Sequence, residues 1–310
     1  MTNAKATRYQ LRIRTLTFLV ALFFCFSLNA QSATSAIEKL LKDHKATASI
    51  TLLGIDSGKE FHYQDSLRLP MLSVYKFPIA LFVLHQVDEK TISLTDEIPL
   101  STKNLLPNTH SPLRDQLKPG TKTASIKELL YYMVSLSDNN ACDILLNILG
   151  GTRATEKFIH SLGIDEFQMP YTEEEMHIGW GFQYSNYSTT RSLALLTKKF
   201  YEEKILSRES TDLLFNIMRS TSTGPDKIKK YLPLGTVANK TGTSGQNSFG
   251  MTAAENDLAI IKANDGTSYA LVIFISDSWE APEKNKELIA KISQELYVSY
   301  PNLNNNIKNK

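Results

Sequence analysis

The chain is poor in the residues that staple small secreted folds or hold metals. Its 310 residues include two cysteines and six histidines. Only Cys142 lies outside the N-terminal apolar segment, which excludes an intramolecular disulfide in the mature chain. Within Ala141-Cys142-Asp143-Ile144-Leu145-Leu146 it reads as a small apolar packing residue, not a nucleophile. His44, His62, His85 and His160 show neither close pairing nor a His-x-His spacing, so a metallo-hydrolase is not expected, nor any metal or cofactor. Long apolar runs are also scarce. Beyond Leu16 to Leu28, no segment reaches the ~18 apolar residues of a membrane span.

That single run follows Lys5, Arg8, Arg12 and Arg14 and closes on Asn29-Ala30, the layout of a secretory signal peptide over residues 1–30. Cys25 falls inside it, but Phe23-Phe24 are not the small residues that a lipoprotein signal carries. Cleavage near Ala30 predicts a periplasmic or secreted, monomeric protein without membrane attachment. It also removes four of 34 basic residues, leaving 30 against 32 acidic ones, a net charge of −2. No nucleic-acid footprint is expected from such a balance.

What is present is an ordinary globular composition, 42% hydrophobic and 21% charged. Ser35-Ala36-Ile37-Glu38 reads as a capped helix start. Residues 46–55 and 61–64 flank Asp56-Ser57-Gly58-Lys59 as a strand pair. Apolar spacings of three and four predict helices over 73–87, 126–136, 139–149, 152–162 and 189–203. From Thr236 the pattern turns to strands (236–240, 250–261, 269–276), with Asn264-Asp265-Gly266 as a hairpin turn. A helix over 283–298 closes the chain. The strands at the two ends can pair only if the chain returns to its start. An α/β unit of about 31–66 and 219–300 around an inserted helical region of about 67–218 is therefore expected, with 301–310 as a polar tail.

Three strings stand out in order: Ser73-Val74-Tyr75-Lys76, Ser137-Asp138-Asn139 and Lys240-Thr241-Gly242. They start 64 (137−73) and 103 (240−137) positions apart. Positions three apart share a helix face, so Ser73 and Lys76 can bring hydroxyl and amine together. A serine hydroxyl is a poor nucleophile until a neighbouring base takes its proton, and a lysine among other cations can be that base. Pro78 places the helix start close to Ser73. Ser137-Asp138-Asn139 sits between two helical patterns and serves either as an N-cap or as a second hydroxyl and an amide beside the first serine. In Lys240-Thr241-Gly242 the cation suits a substrate carboxylate, and the glycine permits close backbone approach; a plain edge strand is the alternative.

In this order the motifs resemble those of class A serine β-lactamases, across about residues 31–300, and Lys240-Thr241-Gly242-Thr243-Ser244-Gly245 resembles the cephalosporinase or extended-spectrum branch. The resemblance implies a β-lactamase/transpeptidase-like fold, an antiparallel sheet flanked by helices with an inserted helical subdomain. It implies a Ser73 nucleophile, Lys76 as its proton partner and Ser137 as proton donor to the β-lactam nitrogen. Asn139 would hold the acylamide side chain. Lys240, Thr241 and Thr243 would receive the carboxylate, with Ser244 continuing that edge, and the backbone N–H groups of Ser73 and Thr243 would form an oxyanion hole.

The same motifs occur in penicillin-binding proteins, which release their adducts slowly. A D-Ala-D-Ala carboxypeptidase and a non-hydrolytic β-lactam sensor are therefore the alternatives. Hydrolysis requires a carboxylate on the loop between the second and third motifs, and the family pattern registers on Glu173 in Tyr171-Thr172-Glu173-Glu174-Glu175-Met176-His177, with Glu174 next in line. His177 stands where the family has Asn, and no Arg precedes Glu173 to fasten the loop. His110 occupies the rim position that is often aromatic. Lys227 is the candidate for the charge of a missing Arg beside Lys240, although it reads more simply as a surface lysine.

Overall fold

The computed structural model describes residues 33–303, so residues 1–32, with the expected signal peptide, and residues 304–310 lie outside it. Helix α1 (33–41) leads into β1 (Thr47–Gly54), β2 (Glu60–Tyr63) and β3 (Leu69–Pro70). A 3₁₀ turn, Leu72–Tyr75, opens α2 (Lys76–Asp88); β4 (Glu97–Pro99), α3 (Pro112–Asp115) and β5 (Thr123–Ser125) follow. Then come α4 (Ile126–Ser135), α5 (Asn139–Ile148), α6 (Thr152–Ser161), β6 (Phe167–Gln168) and α7 (Glu173–Met176). Next are β7 (Tyr187–Ser188), α8 (Thr190–Tyr201), α9 (Arg208–Arg219), β8 (Val237–Thr243), β9 (Thr252–Lys262), β10 (Ser268–Ser278) and α10 (Pro282–Ser299).

Five strands form one antiparallel sheet in the order β2-β1-β10-β9-β8. The register Thr47↔Ser276 through Gly54↔Tyr269 sets the first strand against the last, as the strand pattern at the two ends of the sequence requires. Alternation along the central strands sends their side chains into two separate cores. Leu258, Ile260, Val272 and Phe274 join α2, α4, α5, α8 and α9 on one face. On the other face, Ala259, Ile261, Leu271, Ile273 and Ile275 pack with Ile37 of α1 and with Leu288, Ile292 and Leu296 of α10. Strand β8 is left at the edge, with its free side turned toward the helices that carry the first two motifs.

Some elements depart from the sequence reading. Helix α1 is already formed at residue 33, so Ser35 and Glu38 lie within its turns and do not cap it. Helix α9 and the short pairings β3-β7-β6 and β4-β5 were not expected. Two- and three-residue strands carry too few side chains to show a period. The three acids at 173–175 form a helical turn, not a loose loop: Thr172 and Glu175 make a reciprocal capping box around it.

Helix α8 is pinned to the sheet by a buried hydroxyl cluster. Thr190 Oγ1 lies 2.8 Å from Ser49 Oγ and 2.9 Å from Thr51 Oγ1, two same-face residues of β1. Replacing Thr190 by Val keeps the shape and strips Thr51 of this partner. A loss of about 1–3 kcal/mol in urea unfolding is expected; an unchanged midpoint would show that the cluster contributes nothing.

Candidate functional site

The 3₁₀ turn at Leu72–Tyr75 presents Ser73, and α2 begins at Lys76, so Pro78 falls in the first helical turn, where no backbone donor is needed. Leu72 has φ +47°, a left-handed conformation that a branched side chain rarely adopts. Ser137, at the corner between α4 and α5, has φ +60°. Strain of this kind persists only where surrounding packing enforces it. Asp138 supplies part of that packing: it caps α5 by accepting from Ala141 N–H (2.8 Å) and also holds Leu113 N–H (2.6 Å) and the Ser111 hydroxyl (2.9 Å).

Lys76 is fully buried, and its ammonium is the hub of the site. It donates to Ser73 Oγ (3.1 Å), to Ser137 O (2.8 Å) and to Asn139 Oδ1, and lies 2.9 Å from Glu173 Oε1. Asn139 turns its amide nitrogen to Thr109 Oγ1 (2.7 Å). Glu173 is 5% exposed, and its Oε1 has the Lys76 ion pair but no well-aligned hydrogen bond. Glu174 is exposed and turned elsewhere, so Glu173 is the acid of the run that reaches the lysine.

The turn bearing Glu173 lacks a fastening Arg and is held from α5 instead. Asp143 accepts from the backbone N–H groups of Glu173 and Glu174, both at 2.9 Å. Its one sequence signal is its place four residues after Asn139, on the same helix face. Burial, then the nearby Glu173 charge, pushes the Asp143 carboxyl up from 3.8 to about 7. From the other side, buried Asn186 accepts from Tyr171 N–H (3.0 Å) and donates to Tyr171 O (2.8 Å). The His177 ring gives its Nδ1 proton to Glu173 O (2.6 Å), which leaves Nε2 as the acceptor of the neutral ring.

Strand β8 closes the opposite wall. Lys240 is fully buried and donates to Ser137 Oγ (2.9 Å) and to Thr241 O (2.8 Å). Burial, aided by Lys76 and Lys227, lowers its affinity for a proton well below the ordinary lysine range. A Cβ at Gly242 would sit 2.6 Å from Met71 O and 3.2 Å from Ser73 N, so only glycine lets the strand pass the Ser73 backbone. The register explains what the strand offers there. Ser244 N–H bonds Ala254 O and Lys262 N–H bonds Thr236 O, so even-numbered residues of β8 face β9 and Thr243 N–H points to the free edge.

These groups line one cleft of about 680 Å³: Ser73, Ser137, Asn139, Glu173, Thr241, Gly242 and Thr243 all contribute, with His110, His177 and Ser244 at its margins. The His110 ring is tied back to Leu136 O (3.0 Å). Ser244 spends its hydroxyl on Gly245 O (2.7 Å), within the hairpin. Thr241 Oγ1 meets Thr223 Oγ1 at 2.7 Å. Lys227 corrects the surface reading: it is 2% exposed and lines the cleft beside β8, paired with Glu255. Its charge is hidden in the sequence because the acid that neutralises it lies 28 positions away on β9. Cys142 is buried 3.7 Å from the Tyr75 hydroxyl, and burial raises its thiol well above the ordinary range, which suits packing.

A serine on a tight turn, a buried lysine and a carboxylate set between a helical layer and a sheet edge are the parts of an active-serine hydrolase. Residues 32–300 match the model of the β-lactamase enzyme family. A β-lactamase of Bacteroides uniformis is 37% identical over 90% of this chain and 96% of its own length. β-Lactamase VEB-1 of Pseudomonas aeruginosa is 37% identical over 93% and 98%. The crystal structure of the TLA-1 extended-spectrum β-lactamase superposes with a TM-score of 0.85 at 42% identity, covering 88% of this chain and 99% of that one. The chain belongs to the β-lactamase enzyme family, within its class A serine hydrolases.

Asp143 links the site to pH. An unfolded aspartate releases its proton near 3.8, whereas folded Asp143 keeps its own to about 7. Between those values the folded state binds more protons, so stability falls as pH rises through the window. Asp257, raised to about 6 by burial, adds slope in the same direction. Asp143→Asn should therefore flatten part of the decline in Tm from about pH 4 to about pH 7. An Asn variant that tracks the parent at every pH would refute this assignment.

Proposed function

We propose that Ser73 opens the ring of penicillins and cephalosporins, the extended-spectrum cephalosporins among them, and that Glu173 directs the hydrolysis of the resulting ester. The observation that carries this reading is the Lys76 ammonium set between Ser73 Oγ at 3.1 Å and Glu173 Oε1 at 2.9 Å. A lysine that hands a proton to Glu173 becomes the base for Ser73. The serine oxygen then bonds to the lactam carbonyl carbon, and its proton moves to Lys76 Nζ. The N–H groups of Ser73 and Thr243 receive the oxyanion.

As the C–N bond breaks, Ser137 gives its hydroxyl proton to the lactam nitrogen and is re-supplied from Lys240, 2.9 Å away. Asn139 orients the acylamide side chain. Lys240 and Thr241 receive the ring carboxylate, whereas Thr243, expected to share it, donates its hydroxyl proton to Glu255 and offers only its N–H; Ser244, His110 and His177 border the substituents. Before the second step Lys76 restores the proton of Lys240 through Ser137 and takes back its own from Glu173. The Glu173 carboxylate then accepts a proton from water as that water attacks the ester, and as the C–O bond breaks it passes that proton through Lys76 to the Ser73 oxygen. A soluble exported monomer, its cleft between an α/β unit (31–66 and 219–300) and a helical unit (67–218), fits the apolar N-terminal segment. Among the described residues, no helix is long and apolar enough to cross a membrane. Capture of substrate in such a compartment needs no partner beyond the β-lactam itself.

Two variants separate the steps. Ser73→Ala should abolish both adduct formation and turnover, whereas Glu173→Gln should form the acyl-enzyme and retain it, read as a mass increase after mixing with a cephalosporin. Clearance of the adduct at the parental rate by the Glu173 variant would remove Glu173 from the mechanism. Slow release by the parent protein would instead favour the penicillin-binding alternative.

A further inference from the structure

In the cleft wall beside β8, Lys227 and Glu255 form a buried ion pair at 2.5 Å, with exposures of 2% and 0%. A charge pair so enclosed costs desolvation energy and calls for a physical account. The lysine's partners supply one. Besides Glu255, its ammonium donates to Gly242 O (3.2 Å), Asn256 O (3.0 Å) and Thr243 Oγ1 (3.0 Å). Four acceptors surround three protons, so no N–H remains for a substrate. Thr243 passes its only hydroxyl proton to Glu255 Oε1 (2.8 Å), so this hydroxyl has no proton to offer a substrate carboxylate either.

The carbonyl of Gly242 and the N–H of Thr243 belong to one peptide unit. In a trans peptide they point in opposite directions: the carbonyl faces β9 and Lys227, and the N–H faces the free edge beside Ser73. A cation held at the oxygen end draws electron density through the amide and makes the N–H a stronger, better-oriented donor. We infer that Lys227 is a positioning residue that polarises the Gly242–Thr243 peptide, so that the buried Lys227–Glu255 pair strengthens the oxyanion hole without touching substrate. Glu255 makes the buried cation tolerable and fixes the Thr243 side chain out of the way. The inference rests on the proposed role of Thr243 N–H.

The test reads the ester carbonyl of the acyl-enzyme by infrared difference spectroscopy, in full-length mature protein carrying Glu173→Gln so that the adduct accumulates with a cephalosporin. Stronger hydrogen bonding in the hole lowers the carbonyl stretching frequency. Lys227→Met should raise that frequency and slow acylation about tenfold, a smaller loss than deleting a whole donor. Glu255→Gln, which keeps the cation, should leave the band at or below its original position. Were the pair merely structural, both variants would shift the band alike, and that result overturns the inference, as does an unmoved band in Lys227→Met.

Should Lys227→Met lose its fold by circular dichroism, Lys227→Met/Glu255→Gln removes both charges, leaves no orphaned ion and is expected to show the same upward shift. A second comparison uses the methyl ester of the same cephalosporin: the slowing should be equal for acid and ester. A loss confined to the acid would make Lys227 a carboxylate ligand and end the proposal. Failure of the protein with native Lys227 and Glu255 to accumulate any adduct would strike the functional reading itself, and is thereby distinguishable.

Discussion

A lysine ammonium with no exposure to water must find all its compensation in the protein, and in this molecule that demand falls on Lys76. Its four acceptors come from four separate places: the 3₁₀ turn, the corner before α5, the first residue of α5 and the first residue of α7. None of these segments is positioned by its own hydrogen bonds alone. The charge draws them to a common point, and each must be braced from behind to stay there. Asp138 braces the corner, Asp143 and Asn186 the acidic turn, and Asn256 the chain before Ser73, through Pro70 O at 2.8 Å.

This arrangement accounts for two of the six left-handed non-glycine residues among the described residues. Leu72 and Ser137, each beside or within a motif, occupy left-handed conformations, and both lie where a carbonyl or hydroxyl must turn toward a buried cation. The rim is held by the same economy of means. Asn140 clamps Leu106 through both its N–H (3.1 Å) and its carbonyl (3.2 Å), and Arg114 gathers the carbonyls of Leu106, Pro107 and Thr109. The cleft is thus surrounded by loops whose polar backbone is already spoken for, which favours a preorganised site over one assembled on binding.

Much of this was legible in the sequence. Periodicity found the long helices, because α4, α5 and α8 each bury one apolar face, and it found the central strands, whose runs are apolar on both sides. The three motifs marked the cleft because their spacing is fixed by which elements must meet there. What stayed hidden depends on contacts between distant segments. No local pattern announces that Asp143 replaces an Arg as the fastener of the acidic turn. Nor does any show that Lys227 is buried, since its burial depends on Glu255 of β9. Helix α9 was overlooked even though its apolar residues Leu214, Ile217 and Met218 are spaced by three and four. The start of α1 was misplaced because Ser35 and Glu38 imitate a cap from inside the helix.

The pairing of β1 with β10 joins residues such as Ile50 and Ile273 across 223 positions of chain. A sheet whose middle strand is made nearly last has high contact order, and such topologies fold slowly because loop closure precedes the reward of contact. Until β10 arrives, β1 has only the short β2 beside it, and both sheet faces lack the side chains that seal the two cores. The order of synthesis therefore defers completion of the fold to the end of the chain.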